Sequence, residues 1–270
     1  MDYRFALHTG SLDTTPLAET LQIARATGWD AIELRHVDFL RAGEAGHSPE
    51  HVLELVRASG LPVAAVGVER GWMFAAGEER SRLLRSFAAV CGWARALGCD
   101  TVMSAVDAES GPLERAVDSL RAAGDLAAEH DLTLALELNV AADQFNTLDR
   151  VREVVNRADH PNCGLLLDTY HIWRTGPGLE IWQDVMPEEI AYCQYSDVPA
   201  DDLDPKQTFD RLPPGTGVVP FRPIFEIVAT KGYAGYWSYE ALNHEAYARD
   251  PAAVAGEALE ATRAALSWQP

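Results

Sequence analysis

Two apolar stretches, LTLALEL at residues 132–138 and CGLLLD at residues 163–168, decide the fold of this chain. Both are too uniformly apolar for strands with one face in water, and a segment of helical period at 147–157 separates them. Strands that are buried on both faces and joined through a helix are typical of a parallel sheet covered by helices. Residues 132–168 are therefore predicted to form a strand–helix–strand unit of an α/β protein.

The same alternation of strand and helix occurs eight times along the 270 residues. Glycines between a helical segment and the next strand, such as Gly28 and Gly60, are suited to end the helix in a left-handed conformation. Strands are predicted at 3–8, 30–35, 62–68, 100–105, 132–138, 163–168, 190–196 and 235–240. Helices are predicted at 16–27, 49–59, 77–97, 113–130, 147–157, 178–186, 220–230 and 251–266. Because no Gly/Ser/Pro linker divides the chain, we predict one (β/α)8 TIM barrel over residues 1–270, with a doubly wound open sheet as the weaker alternative.

Composition excludes several classes of partner. The 47% hydrophobic and 23% charged residues are typical of a globular protein, and the net charge of −19 would repel nucleic acid and anionic membranes.

The first residues, MDYRFALH, carry charges within a short apolar stretch, so we expect a first strand and neither a signal peptide nor an anchor. The four cysteines show no CxxC spacing, which favours reduced thiols in the cytoplasm.

Polar side chains end four consecutive predicted strands, where apolar segments run out: Glu137, Asp168, Gln194 and Glu240. In a TIM barrel these ends meet at the carboxyl-terminal rim, where active sites lie. Three carboxylates and one amide oxygen suit Mn²⁺, Mg²⁺ or Co²⁺, whereas zinc prefers more nitrogen or sulfur. The alternative is that they are strand-end caps or ion-pair partners, but together they predict one divalent metal site.

Three residues in the following loops are candidates for the same cavity. If a tight turn follows Asp168, His171 can reach the site as a general acid/base or as a partner of a ligand. Asp197, past the end of strand seven, is predicted to orient a ligand or to accept backbone N–H groups. Arg211 precedes a stiff Pro-Pro-Gly turn that can hold its guanidinium over a carboxylate or oxyanion, although an exposed Arg is the alternative.

Further polar or aromatic residues lie at or just beyond the ends of strands one to four. We expect some to bind substrate in the pocket and others to form an ion-paired scaffold, since the rim has more polar positions than a small ligand needs. The candidates are His8, Glu33, Arg35, Glu69, Arg70, Trp72 and Ser104.

The segments LLLDTYHIWRTG, YCQYSDVP, RLPPGTG and GYAGYWSYEALN together resemble the xylose isomerase-like TIM-barrel superfamily, in particular its sugar phosphate isomerases/epimerases. The resemblance covers essentially the whole chain. It implies that Glu137, Asp168, Gln194 and Glu240 are the metal ligands, that His171 is catalytic or contacts substrate, and that Arg211 contacts substrate. Gln194 stands where sugar epimerases of the superfamily use His, and in this respect the chain is similar to metal-dependent 3-dehydroshikimate dehydratases.

We therefore expect an enzyme that acts on a small polyhydroxylated carbonyl compound through a metal-stabilised enediolate. Glu137, Glu240 or His171 would move the proton, and isomerisation or epimerisation is the first expectation. A lyase, either like the 3-dehydroshikimate dehydratases or eliminating from a 3-keto-sugar, is the close alternative, and a non-catalytic sugar-binding barrel is the next. Endonuclease IV, another member of the superfamily, does not fit a chain of charge −19. Assembly into a homo-oligomer is a further expectation.

Overall fold

Eight strands and eleven helices make up the part of the chain that the computed structural model describes, residues 3–176, 178–201, 204 and 206–267. The strands are β1 Arg4–His8, β2 Ala31–Arg35, β3 Val63–Gly67, β4 Thr101–Ala105, β5 Thr133–Glu137, β6 Cys163–Asp168, β7 Ile190–Tyr195 and β8 Tyr236–Tyr239. The helices are α1 Leu17–Thr27, α2 His36–Glu44, α3 Pro49–Ser59, α4 Gly77–Ala96, α5 Leu113–Ala128, α6 Leu148–Ala158, α7 Thr169–Thr175, α8 Glu180–Asp184, α9 Phe221–Thr230, α10 His244–Tyr247 and α11 Pro251–Ser267. Each strand lies within two residues of its predicted bounds.

The strands form a closed barrel in the order β1 to β8, and β8 pairs with β1. Every neighbouring pair is parallel. The predicted (β/α)8 barrel is therefore confirmed and the open sheet is excluded. Gly28 and Gly60 end α1 and α3 with φ values of 89° and 70°, as the sequence predicted.

Small side chains fill the lower part of the barrel interior. A separate buried cluster contains mainly alanines, including Ala6, Ala31 and Ala135, together with Leu166 and Tyr192. Since side chains alternate between the two faces of a strand, the residues two positions further along β1, β2, β5, β6 and β7 also point inward. These residues form the next layer towards the carboxyl-terminal rim: His8, Glu33, Glu137, Asp168 and Gln194.

Three of the helices were not predicted from sequence. The most consequential is α7, which begins directly after β6 because Asp168 accepts a hydrogen bond from the backbone N–H of Tyr170 at 2.9 Å. His171 therefore lies on the first turn of a helix and not in a tight turn. None of the helices in the described residues combines the length and apolar character needed to span a bilayer.

Candidate active site at the carboxyl-terminal rim

The guanidinium of Arg211 lies at the centre of the inward polar layer. Its Nη1 donates to Asp168 Oδ2 and to Glu240 Oε2, both at 2.9 Å, and its Nη2 lies 3.0 Å from His171 Nε2. The guanidinium carbon stacks 4.6 Å above the centroid of the Tyr170 ring. Arg211 is 3% exposed, so this side chain joins β6, α7 and the end of β8 inside the protein.

Two glutamates at the rim each have a histidine beside them. His8 Nε2 lies 3.6 Å from Glu240 Oε1, and His171 Nε2 lies 3.8 Å from Glu137 Oε1. His8 Nδ1 accepts a hydrogen bond from the Gly10 N–H, so the proton of the neutral ring is on Nε2 and faces Glu240. The site therefore contains two carboxylate–imidazole pairs, one on the β1–β8 side and one on the β5–β6 side.

The tautomer of His171 is set by one of two contacts. Its Nδ1 lies 3.3 Å from the backbone N–H of Val140, and its Nε2 lies 3.0 Å from Arg211. A neutral imidazole has one acceptor nitrogen, so only one of these contacts is a hydrogen bond. Burial first, and then the charge of Arg211, lowers the pKa of His171 well below its ordinary value of 6.5, so the ring is neutral.

Burial also controls the other titrating groups of the layer. It lowers the pKa of His8 to about 4 and raises the pKa of Asp168 to about 6, although Arg211 opposes the second shift. Burial, with repulsion from Glu240 and Asp168, raises the pKa of Glu137 well above its ordinary value. Burial would likewise raise the pKa of Glu240, but attraction to Arg211 and His8 outweighs it and holds that pKa below its ordinary value.

Two buried oxygens of this layer lack a hydrogen-bond partner among the described residues: Glu137 Oε1 and Gln194 Oε1. Buried polar atoms are normally paired, so each needs a partner beyond the described residues, such as water or a bound ion. Ligand atoms of Glu137, Asp168 and His171 also lie within 4.8 Å of one another. Three carboxylates face one guanidinium, and full ionisation leaves an excess of negative charge. These features fit a divalent cation.

A cavity of about 410 Å³ opens above the layer, and its wall includes Glu137, His171, Arg211 and Glu240. Four of the predicted substrate contacts from the first half of the chain also line it: His8, Arg35, Glu69 and Arg70. Two of these are ion-paired. Arg35 Nη1 lies 2.7 Å from Asp13 Oδ1, and Glu69 Oε1 lies 2.7 Å from Arg82 Nη2.

Three predicted substrate contacts lie elsewhere. Trp72 and Ser104 are fully buried outside the cavity, where Trp72 Nε1 donates to Ser104 Oγ at 3.0 Å. Asp197 is also fully buried, and its carboxylate accepts backbone hydrogen bonds from residues 198, 215, 217 and 219 at 2.8–2.9 Å. We correct the predictions for Trp72 and Ser104, because their polar atoms are used inside the protein. For Asp197 the structure shows the second of the two predicted roles, acceptor of backbone N–H groups, and not a contact with a ligand in the cavity. Asp197 instead fixes the turn that follows Arg211.

Glu33 also differs from its prediction. It does not line the cavity but lies beneath it, fully buried, where it accepts hydrogen bonds from Gln194 Nε2 at 2.8 Å and Tyr192 Oη at 3.1 Å. Burial raises the pKa of Glu33 to about 8, even though these two donors oppose the shift. Its contact is therefore with a predicted metal ligand and not with substrate.

Phe209 is a cavity residue that the sequence did not single out. It lines the mouth, is 39% exposed, and stacks on His244 with ring centroids 4.6 Å apart. A signal was present, because Phe209 lies two residues before Arg211 in the long loop after β7. Exposed aromatic side chains in such loops commonly contact ligands.

A family model described as a xylose isomerase-like TIM barrel matches residues 21–265. The chain belongs to this family. Its relatives include a 3-dehydroshikimate dehydratase from Pseudomonas putida, 28% identical over 88% of this chain. The chain spans only 38% of that relative's length.

Two other proteins are similar to this chain over nearly their full length. An inosose isomerase from Bacillus velezensis is 22% identical, and the match covers 95% of this chain and 94% of the relative. A solved structure described as the IOLI protein with a binding zinc atom has a TM-score of 0.87 and 20% identity, covering 98% of both chains. The latter supports the fold alone. The named relatives are enzymes: one is a dehydratase and the other is an isomerase.

Proposed function

We propose that this chain is a divalent-metal-dependent isomerase or epimerase that acts on a small polyhydroxylated carbonyl compound. The observation that carries the proposal is the pair of carboxylate–imidazole contacts, His8 with Glu240 and His171 with Glu137, on the wall of one cavity. An isomerase removes a proton from one carbon and returns one to the neighbouring carbon, whereas an epimerase returns it to the opposite face of the same carbon. Two such pairs supply groups for both steps.

Glu137, Asp168, Gln194 and Glu240 would hold the cation. The proposal includes Gln194 because its Oε1 is buried without a hydrogen-bond partner in the described part of the chain. When bound, such a cation polarises a substrate carbonyl and makes the adjacent C–H more acidic. We propose Mn²⁺, Mg²⁺ or Co²⁺, since most of the donors are oxygens, and zinc belongs in the same tests because of the IOLI structure.

The chain's own residues would then move the proton. Glu137 and Glu240 come from β5 and from the end of β8, so their carboxylates approach the cavity from separate sides. One accepts the substrate proton and the other returns a proton. The imidazoles of His8 and His171 lie 3.6 and 3.8 Å from these two carboxylates, and Arg211 holds Asp168 and Glu240 in place.

The cavity limits the substrate to a small polar molecule. Its volume of about 410 Å³ is at the lower end of the range for small-molecule sites. Polar side chains on its wall, including His8, Arg35, Glu69, Arg70 and Arg211, are suited to hydroxyl groups. We propose sugars and keto-sugars as the class, with Phe209 at the mouth as an apolar surface for the C–H face of the ring.

Hydrogen exchange at carbon tests this proposal. The protein is incubated in D₂O with Mn²⁺ and a panel of inososes, ketoses and 3-keto-sugars, and proton NMR follows the signal of the carbon beside the carbonyl. We expect deuterium to enter one compound. Glu137→Gln and Glu240→Gln should each lower the exchange rate by about 10²- to 10⁴-fold, the usual contribution of a general acid or base.

A matched control is Glu189→Gln, which removes a carboxylate at the other end of the barrel, where Glu189 pairs with Arg152. This variant should keep the exchange rate of the wild type. Full exchange in both Glu137→Gln and Glu240→Gln would rule out the proposed roles. Sugar binding without exchange for every compound would favour a non-catalytic sugar-binding barrel.

Gln194 favours a second candidate function, a metal-dependent lyase. An amide at this position leaves His171 as the one imidazole on the β5–β7 side of the layer, and a single histidine base suits elimination of a β-hydroxyl group. The similarity to the Pseudomonas putida dehydratase agrees with this candidate. Incubation with two substrates tests for lyase activity and tells the two eliminations apart. Loss of water from 3-dehydroshikimate gives an aromatic ring with new near-ultraviolet absorbance. Loss of the glycosidic oxygen from a 3-keto-glucoside releases a free alcohol.

A further inference from the structure

The side-chain amide of Gln194 is held by one end only. The residue is fully buried on β7, its Nε2 donates to Glu33 Oε1 at 2.8 Å, and its Oε1 has no hydrogen-bond partner within the described residues. An amide carries a donor at one end and an acceptor at the other, so its orientation decides which of them faces the site. Only the oxygen end can bind a cation.

Glu33 reaches Gln194 across the barrel, because β2 and β7 are not neighbours in the sheet. It is itself fully buried, and its second oxygen accepts a hydrogen bond from Tyr192 Oη at 3.1 Å. In the structure both oxygens of Glu33 act as acceptors, Oε1 for Gln194 and Oε2 for Tyr192. A reversed Gln194 amide would place its oxygen against the Glu33 oxygen, and a buried donor pair would be lost. The contact therefore favours one amide orientation over the other.

We propose that Glu33 is a positioning residue that turns the oxygen of Gln194 towards the divalent cation. This inference rests on the proposed function, since it assumes that the cation binds at Glu137, Asp168, Gln194 and Glu240. It also gives a reason for an amide ligand on β7, because Gln194 can serve Glu33 and the cation at the same time. Residues that hold a ligand in this way typically change metal affinity by about 10- to 100-fold.

Metal affinity in matched variants tests the inference. The chelator-treated full chain is titrated calorimetrically with Mn²⁺ as wild type, Glu33→Gln, Gln194→Ala and the double variant. Glutamine has nearly the same shape as glutamate but carries an NH₂ group in place of one oxygen, so the two acceptor oxygens that Glu33 offers to Gln194 and Tyr192 are no longer both present. We expect Glu33→Gln to weaken Mn²⁺ binding by about 10- to 100-fold.

The double variant distinguishes positioning from a general effect on charge. If Glu33 acts through Gln194, Glu33→Gln should cause no further loss once Gln194 is alanine, because coupled residues do not add. Tyr192→Phe is the matched control, since it removes the other hydrogen bond to Glu33 and leaves the contact with Gln194. It should change the affinity by less than about threefold, below the range for a positioning residue.

Two results would overturn the inference while the proposed function stands: wild-type affinity in Glu33→Gln, or an equal further loss from Glu33→Gln in the Gln194→Ala background. Absence of Mn²⁺ binding in the wild type would instead overturn the proposed function, and the inference with it. The two failures are therefore distinguishable.

A measurement that does not need Glu33→Gln covers the case in which that variant does not fold. The side-chain amide of Gln194 is assigned by NMR from its loss in Gln194→Ala, and diamagnetic Mg²⁺ is then added. We expect the side-chain N–H of Gln194 to be protected from exchange with water both without and with Mg²⁺. The chemical shift of its side-chain carbonyl carbon should change when Mg²⁺ binds. A rapidly exchanging amide, or a carbonyl that does not respond to a bound cation, would contradict the inference.

Discussion

The two halves of the carboxyl-terminal rim carry similar numbers of polar residues but use them differently. On the β2–β4 half, Arg35 and Glu69 pair with charged neighbours and Ser104 pairs with Trp72. On the β5–β8 half, Glu137 and Gln194 each keep a buried oxygen without a partner in the described residues. These two unpaired oxygens therefore mark the β5–β8 half as the site candidate, because groups that are already paired have less to offer a ligand.

Removing the charge at the centre of the β5–β8 half should have the largest effect. Arg211→Met leaves Asp168 and Glu240 buried without their counter-charge, and we expect a loss of about 3–5 kcal/mol in the free energy of unfolding without metal. Urea unfolding in chelator measures this loss. Mn²⁺ should recover part of it, because the cation neutralises the same carboxylates.

The control on the other half is Arg82→Met. Arg82 pairs with Glu69 and Glu79 at the exposed surface, where solvent screens the interaction, so the free energy of unfolding should change little. Similar losses in Arg82→Met and Arg211→Met would contradict the distinction between the two halves.

Metal affinity should depend on pH because a carboxyl group of the β5–β8 half must lose its proton before it can bind a cation. Burial raises the pKa of Asp168 from 3.8 to about 6, so the metal-free fold favours its protonated form. The stability that this group contributes without metal is present at low pH and is lost as the pH rises through 6. A cation must displace the proton, so we expect Mn²⁺ affinity to fall by up to about tenfold per pH unit below pH 6 for each proton released. Calorimetric titrations with Mn²⁺ from pH 5 to 8 test this, and comparison of two buffers measures the number of protons released. An Mn²⁺ affinity that does not change with pH would contradict the prediction.

The smallest effect on metal binding and catalysis is expected on the β2–β4 half. Ser104→Ala removes the acceptor for Trp72 Nε1 in a fully buried position, which should cost about 1–3 kcal/mol in the free energy of unfolding. Mn²⁺ affinity and carbon exchange should stay at wild-type levels, because Ser104 does not line the cavity. A clear loss of Mn²⁺ affinity in this variant would return Ser104 to the list of site residues.

Strand positions were predictable because apolar runs and glycine-ended helices are local signals, and the inward layer followed from the period of a strand. The hydrogen-bond partners of side chains on different elements were not predictable from the sequence. The sequence contains Trp72 and Ser104, but nothing local shows that one side chain donates to the other. Similarly, α7 depends on Asp168 as its cap, and the sequence alone did not distinguish that role from a tight turn. The predicted metal ligands stay a prediction until a cation is measured.

The loop after β7 is held at its base. Asp197 and Leu212 pair through backbone hydrogen bonds of 2.7 and 3.0 Å, and the Asp197 carboxylate fixes the turn that follows. Arg211 is adjacent to this anchor, whereas Phe209 lies beyond it at the mouth of the cavity. Arg174 holds the outer part of the loop through the backbone carbonyl groups of Asp204 and Gln207. Side chains there, such as Phe209, can therefore be exchanged while Arg211 keeps its place, and new substrate preferences would arise by such exchange with the chemistry beneath inherited unchanged.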